Sequence, residues 1–313
     1  MRYFTRHTDL PEDARGASAA IGNFDGVHLG HHAVIDLARG ASDRLGCPLG
    51  IVTFDPHPRE FFAPDTPAFR LMTPRAKAHR LAKIGVDLVY ALPFDAALSG
   101  LTAEGFARDV LANGLGLRHV VVGADFCFGT GRRGTAQDLE ALGAAMGFGV
   151  TVANLESFAT GDPVSSTRIR SALSDGQPRD AAAMLGHWHR VEGPVIHGEA
   201  RGRTLNYPTA NMALDGLHLP RFGVYAVLVD VLDGDHAGSY HGVASLGVRP
   251  MFGVNTANLE TFLFDFSGDL YGATLSVALV EFLRPEATFD GLAALISQMD
   301  GDSARARAVL ATL

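Results

Sequence analysis

Cysteine is nearly absent: only Cys47 and Cys127 occur, in neither CxxC nor Cys/His spacing. That argues against a disulfide framework and against a structural zinc site. No stretch reaches the roughly 18 apolar residues of a membrane-spanning helix. The opening MRYFTRHTDLPEDARG lacks the apolar centre of a secretory signal. There is no Lys/Arg run, and 26 basic against 34 acidic residues leave a formal charge of -8. Bulk charge therefore offers no attraction to nucleic acid or anionic membrane. Internal repeats and low-complexity linkers are missing too. Two absences bear on chemistry. Without GxxxxGK[ST] a P-loop kinase is excluded, and without GxSxG there is no nucleophile elbow. A cytoplasmic protein of enzyme size is the expectation.

What is present fills 313 residues, about twice a usual domain. Up to about residue 185, strand and helix signals alternate. SAAIG (18–22), LGIVTF (49–54), VDLVYALPF (86–94), LRHVVVGADF (117–126) and FGVTVANL (148–155) read as buried strands. Helical stretches separate them, and Thr135 with Asp138 spaces a capping box ahead of one. This alternation predicts a parallel sheet covered on both faces. After LGHWHR (185–190) come short strand-like runs broken by Gly, Pro and Asp, with a hairpin signal at Asp233-Gly234. Only the tail from FDGLAALISQ onward reads as helix again. The expected architecture is an α/β domain over 1–186, then a mainly β barrel or sandwich with a terminal helix over 187–313.

Two constellations carry the chemistry. IGNFDGVHLGHH (21–32) stands where the first strand turns into the first helix. Glycines there admit close ligand approach, and the helix start offers free N–H groups to phosphate. His28 and His31 fall on one helix face, suited to charge on a leaving pyrophosphate. A lone HxxH is more often a pair of surface histidines; its place after a first buried strand favours a site. VSSTRIRSAL (164–173) puts hydroxyls at a helix start, followed by Arg168 and Arg170, which is either simple capping or a phosphate clamp. Downstream, Thr209 and Asn211 in PTAN offer hard oxygen ligands for Mg²⁺, although PTAN alone is a turn signal. Glu260 lies in the strand-like NLETFLFDF, where alternation alone allows it to face water.

Together, HLGH and SSTRIR resemble the paired signatures of the HxGH nucleotidyltransferases. With TFDPHP (53–58) and VVGADFCFGTGRRGT (121–135), the first part resembles the adenylyltransferase module of prokaryotic FAD synthetases. GRxLxxPTAN, GVYAV, LETFLFDFxGDLYG and FLRPEATFDGL resemble riboflavin kinases over nearly all of 187–313. The resemblance implies a bifunctional riboflavin kinase/FMN adenylyltransferase with a Rossmann-like α/β domain and a β-barrel kinase domain. ATP would be co-substrate twice, with Mg²⁺, and the small-molecule partners would be riboflavin and FMN.

It further implies Glu260, His28, His31 and Arg170 as catalytic, and Thr209 and Asn211 as metal ligands. ATP would meet Asn23, Phe24, Asp25, Gly26, Gly30, Ser166, Thr167, Gly202, Arg203 and Pro208. Flavin would meet Pro56, His57, Pro58, Asp125 and Phe126. Four positions depart from that family's usual residues: Ala200 (Lys), Asn206 (Gly), Ser245 (Asn) and Met251 (Thr).

Overall fold

The computed structural model describes residues 1–154, 164–198, 207–251 and 254–313, forming two compact units. The first comprises Met1–Pro67 and Lys77–Val164, the second Ala68–Ala76 and Ser165–Leu313.

The chain begins with β1 (Arg2–Phe4), β2 (Ser18–Ile21), α1 (Leu29–Leu45), β3 (Leu49–Asp55), α2 (Pro58–Phe62), α3 (Pro74–Lys83) and β4 (Leu88–Pro93). It continues through α4 (Ala96–Ser99), α5 (Ala103–Gly105), β5 (His119–Gly123), β6 (Cys127–Phe128), β7 (Gly134–Thr135), α6 (Ala136–Met146) and β8 (Gly149–Ala153). Six strands form a parallel sheet in the order β1-β4-β3-β2-β5-β8. Its central strands are apolar runs because both faces are covered; all four residues of β2 are buried, whereas the edge strand β1 is largely exposed. The capping box expected at Thr135 is present: the Asp138 amide donates to Thr135 Oγ1 at 3.2 Å, and the Thr135 amide to Asp138 Oδ2 at 2.9 Å. The helical stretch between β4 and β5 widens into a π-helix over Phe106–Gly114. From β2 the chain runs through α1 to β3 on one side, and from the neighbouring β5 through α6 to β8 on the other. The loops at the carboxyl ends of β2 and β5 therefore face one crevice, the usual ligand position in such sheets.

The second unit holds α7 (Ser166–Ser174), α8 (Pro178–Leu185), β9 (Arg190–Pro194), β10 (Ala210–Ala213), β11 (Gly223–Val231), β12 (Gly238–Met251), β13 (Val254–Leu263), β14 (Thr274–Arg284) and α9 (Leu292–Leu310). Strands β9–β14 form one antiparallel sheet, ordered β10-β13-β12-β11-β14-β9. The chain leaving β9 returns to β10 through the Ile196 amide, which donates to the Asn211 carbonyl at 2.9 Å and nearly closes a barrel. Alternation splits the apolar residues into two sets. Met212, Val227, Leu246, Leu259 and Leu279 cluster inside. Val243, Phe264 and Val280 face outward onto Ala306 and Leu310 of α9.

Contacts divide the chain at Val164/Ser165, not at the expected 186/187. The reason is where α7 and α8 anchor. The Arg221 amide donates to the Leu173 carbonyl at 2.9 Å, and Arg179 ion-pairs with Glu281 of β14.

His189, just before β9, is buried, and its pKa is pushed down to about 3, chiefly by burial and then by the charges of His187 and His218. The unfolded chain, with His near 6.5, takes up that proton first. Stability from this residue is therefore complete above about pH 6.5 and falls as pH drops toward 3, by ~1.4 kcal/mol per unit. Between pH 7 and 5 it should cost roughly 2 kcal/mol that a His189→Gln variant does not lose, as measured by denaturant unfolding of both proteins.

Candidate active sites

At the carboxyl end of β2, the segment after Ile21 folds into a strained turn. Phe24 and Val27 adopt φ of 50° and 44°, beside Gly26 at 89°. A β-branched residue rarely enters the left-handed region, and such strain is retained mainly at functional positions. Phe24, Asp25 and His28 are buried.

The two histidines form a reciprocal cap on α1. The His28 amide donates to His31 Nδ1 at 3.2 Å, and the His31 amide donates to His28 Nδ1 at 3.3 Å. Their rings stack at 3.6 Å, 14° from parallel. Since both Nδ1 atoms accept, the neutral rings carry their protons on Nε2 and present N–H donors there. His31 is held neutral, its pKa lowered well below the ordinary value by burial and then by His28, Lys77 and His32. A Cβ at Gly30 would meet His28 Cε1 and Nδ1 at 3.2 Å, so glycine permits the ring to lie this close.

The turn is braced from below. Thr53 Oγ1 on β3 donates to the Asn23 carbonyl at 3.2 Å, and Lys77 Nζ on α3 donates to that carbonyl at 2.8 Å. Nearby, His57 caps α2: its amide donates to Glu60 Oε2 at 3.1 Å, and its Nδ1 accepts from the Arg59 amide at 3.0 Å. Pro56 precedes it in a cis peptide, and Pro58 opens the helix. Asp125 lies exposed beyond β5, and the Phe126 ring stacks on Phe128 at 5.5 Å.

In the second unit, Ser165 caps α7, with its Oγ accepting from the Arg168 amide at 3.3 Å. One helical turn on, Arg170 Nη2 donates to Thr167 Oγ1 at 3.4 Å, and Arg170 Nη1 to the Phe69 carbonyl at 3.3 Å. Ser166 is the first residue of that helix.

A cavity of about 250 Å³ opens between the outer barrel wall and α9, lined among others by Thr209, Ser245, Glu260, Phe262 and Arg284. Asn211 on β10, Glu260 on β13 and Ser245 on β12 are direct cross-strand partners, a polar row on one face. Glu260 shares the outward face of Phe262 and Phe264, while Leu259 and Leu263 point into the barrel. Arg284 holds α9 against this wall, with Nε and Nη2 donating to Asp302 Oδ2 at 2.9 and 2.7 Å. Tyr207 makes a further hydrogen bond to Asp300. Thr209, Asn211 and Glu260 supply only oxygens, the donor set that a magnesium ion shared with phosphates takes. The described residues contain no cluster of three His, Cys, Asp or Glu side chains able to hold a metal.

Residues 10–168 match the family model for FAD synthetase, and residues 185–310 that for riboflavin kinase. A bifunctional riboflavin kinase/FMN adenylyltransferase from Pseudomonas fluorescens is 42% identical over 304 residues, 97% of this chain and 96% of that protein. The chain belongs to the bifunctional riboflavin kinase/FMN adenylyltransferase family. Members so described from Listeria monocytogenes and Escherichia coli strain K12 are 37% and 38% identical, over 94% and 93% of this chain and 92% of each relative. A solved Streptococcus pneumoniae structure, described as a macrolide-efflux protein, matches with a TM-score of 0.81 at 30% identity over 96% of each chain. Efflux is said of that protein. Among the described residues here, no helix is long and apolar enough to cross a membrane.

Against the residues that the family resemblance implies, the first unit gathers Asn23, Phe24, Asp25, Gly26, His28, Gly30 and His31 into one turn and helix start. The second gathers Thr209, Asn211 and Glu260 at the barrel wall, with Pro208 just before β10. Asn211 proves to be a strand residue, not part of a turn. Gly202 and Arg203, and the departures at Ala200 and Asn206, lie outside the described residues, as does the side chain of Met251. Sequence reasoning missed Lys77. Thr73 and Pro74 signalled its helix, and Thr73 Oγ1 does accept from the Ala76 amide at 3.1 Å. Nothing local revealed that its ammonium reaches the Asn23 carbonyl.

Proposed function

We propose that this bacterial-type enzyme carries out its family's two reactions with the residues described above, phosphorylating riboflavin to FMN and adenylylating FMN to FAD. In the first, Glu260 accepts the proton of the riboflavin 5′-hydroxyl. That oxygen bonds to the γ-phosphorus of ATP as the bond to the β-phosphate bridging oxygen breaks, and ADP leaves. Thr209 and Asn211 would hold Mg²⁺, which when bound neutralises phosphate charge. Gly202, Arg203 and Pro208 are assigned to the nucleotide of this reaction. The observation that carries the reading is the row Asn211–Glu260–Ser245, which sets an amide directly across from a carboxylate that lines the cavity.

In the second reaction an FMN phosphate oxygen attacks the α-phosphorus of ATP, and pyrophosphate leaves. His28 and His31 donate from Nε2 to the departing oxygens, as neutral donors fixed by their mutual cap. Arg170 adds positive charge, and the α7 hydroxyls of Ser166 and Thr167 add donors to ATP phosphate. Asn23, Phe24, Asp25, Gly26 and Gly30 shape the nucleotide turn. Pro56, His57, Pro58, Asp125 and Phe126 are assigned to the flavin side. A cytoplasmic setting follows from the need for ATP in both steps. We keep 1–186 and 187–313 as the functional halves, although packing divides elsewhere.

Incubating the full chain with riboflavin, Mg²⁺ and ATP, then resolving the flavins chromatographically, tests the reading; FMN and FAD are both expected, and absence of either product refutes that half. A narrower test is Gly30→Ala. The added methyl pushes on the His28 ring from 3.2 Å, so FAD formation should fall about tenfold, or ~1.4 kcal/mol, with riboflavin phosphorylation unchanged.

A further inference from the structure

Asn258 lies two residues before Glu260 on β13, on the same outward face, and is 3% exposed. Directly across from it stand Ala213 on β10 and Gly247 on β12, neither with a polar side chain. Its carboxamide instead leans along the strand. Nδ2 donates to Asn211 Oδ1 at 2.8 Å and to Glu260 Oε1 at 3.3 Å. Asn211 Nδ2 in turn donates to the Thr209 carbonyl at 3.4 Å. Asn258 Oδ1 is buried without a hydrogen-bond partner.

An unpartnered buried acceptor costs about 1–3 kcal/mol, so a leucine of similar volume would serve stability better than this asparagine. What the amide contributes is two N–H bonds aimed at two acceptors. Asn211 Oδ1 and the Glu260 carboxylate are both electron-rich and face each other across one strand pair, so they repel unless a donor stands between them. The donor also settles which end of the Asn211 amide faces the row, because a rotated amide would set its own NH₂ against that of Asn258. Of the three side chains only Glu260 lines the cavity, so Asn258 acts through its neighbours.

We infer that Asn258 is a positioning residue for phosphoryl transfer, holding the Asn211 oxygen and the Glu260 carboxylate in fixed relation through one NH₂ group. This rests on the roles given above to Asn211 and Glu260. The test uses the full chain with Asn258→Leu, which fills the space without a donor, and Asn258→Asp, which keeps the shape without a donor. Glu260→Gln is assayed in parallel. For each protein the measurements are riboflavin phosphorylation (kcat and KM), FMN adenylylation, thermal melting, and Mn²⁺ affinity in the presence of ADP by electron paramagnetic resonance.

Both Asn258 variants should lose kcat by about 10- to 100-fold, the scale seen when partners of metal ligands are removed. KM for riboflavin should stay within about twofold and Mn²⁺ binding should weaken, with adenylylation intact and melting unchanged or raised for Asn258→Leu. The inference is overturned if both variants keep kcat within about twofold while Glu260→Gln is inactive. Full activity in Asn258→Asp overturns it too, since shape and not the donor would then matter. Should Asn258→Leu fail to fold, Asn258→Asp decides alone. An active Glu260→Gln protein refutes the underlying assignment of the base, and the inference falls with it.

Discussion

Exchanging Glu260 for glutamine should lower riboflavin phosphorylation by about 10²-fold or more, the usual scale for a general base, and leave conversion of supplied FMN to FAD intact. The substitution is nearly isosteric, and an amide oxygen can still accept from Asn258, so the polar row with Asn211 and Ser245 keeps its geometry. What disappears is the capacity to take a proton. Loss of kcat with a normal melt and normal adenylylation identifies the base. Near-normal kinase turnover would remove Glu260 from the mechanism.

Converting both His28 and His31 to alanine should have the reciprocal outcome. FAD formation should fall by at least about 10²-fold, since removing one donor to developing charge typically costs that much, while the kinase continues. The change also deletes the reciprocal cap on α1, worth about 1 kcal/mol, so a modestly lower melting temperature is expected and does not explain the loss. If FMN adenylylation survives within about tenfold, ~1.4 kcal/mol, the imidazoles are not transition-state contacts.

Much of this was legible in the sequence, for reasons that differ by element. Strands β2–β5 and β8 announced themselves because burial leaves them mostly apolar, as in AAI and VVV. The edge strand β1, Arg2–Phe4, is largely exposed and gave no such signal. The box at Thr135 depends on residues three apart and needs no tertiary knowledge. Strand β10 was illegible because Pro208 and Thr209 write a turn; only pairing of Ala210–Ala213 with β13 makes those residues a strand. The orientation of Glu260 was equally hidden. LETFLFDF is apolar on both faces, since one lines the barrel and the other meets α9, so alternation could not say which way the carboxylate points. For His28 and His31, the spacing of three brought the rings together, but with His28 as the extended N-cap of α1 rather than on a shared helix face. The bonds of their mutual cap depend on the strained turn. Lys77 and Asn258 act at a distance that no local pattern encodes.

The anchoring of α7 has a consequence for how the two activities can be inherited. The signature SSTRIR, residues 165–170, overlaps the end of the stretch that matches FAD synthetase at 168, yet its helix is built into the compact unit that carries the kinase barrel. Ile169, Leu173 and Leu185 are buried there, each worth roughly 1.5–3 kcal/mol of lost cover if exposed. A recombination event after Gly186, between the two functional halves, would strip those side chains from the barrel and sever Arg179 from Glu281. Gene fission at that point is thus opposed by folding, however separable the chemistries are, and a viable split would have to carry α7 and α8 with the barrel.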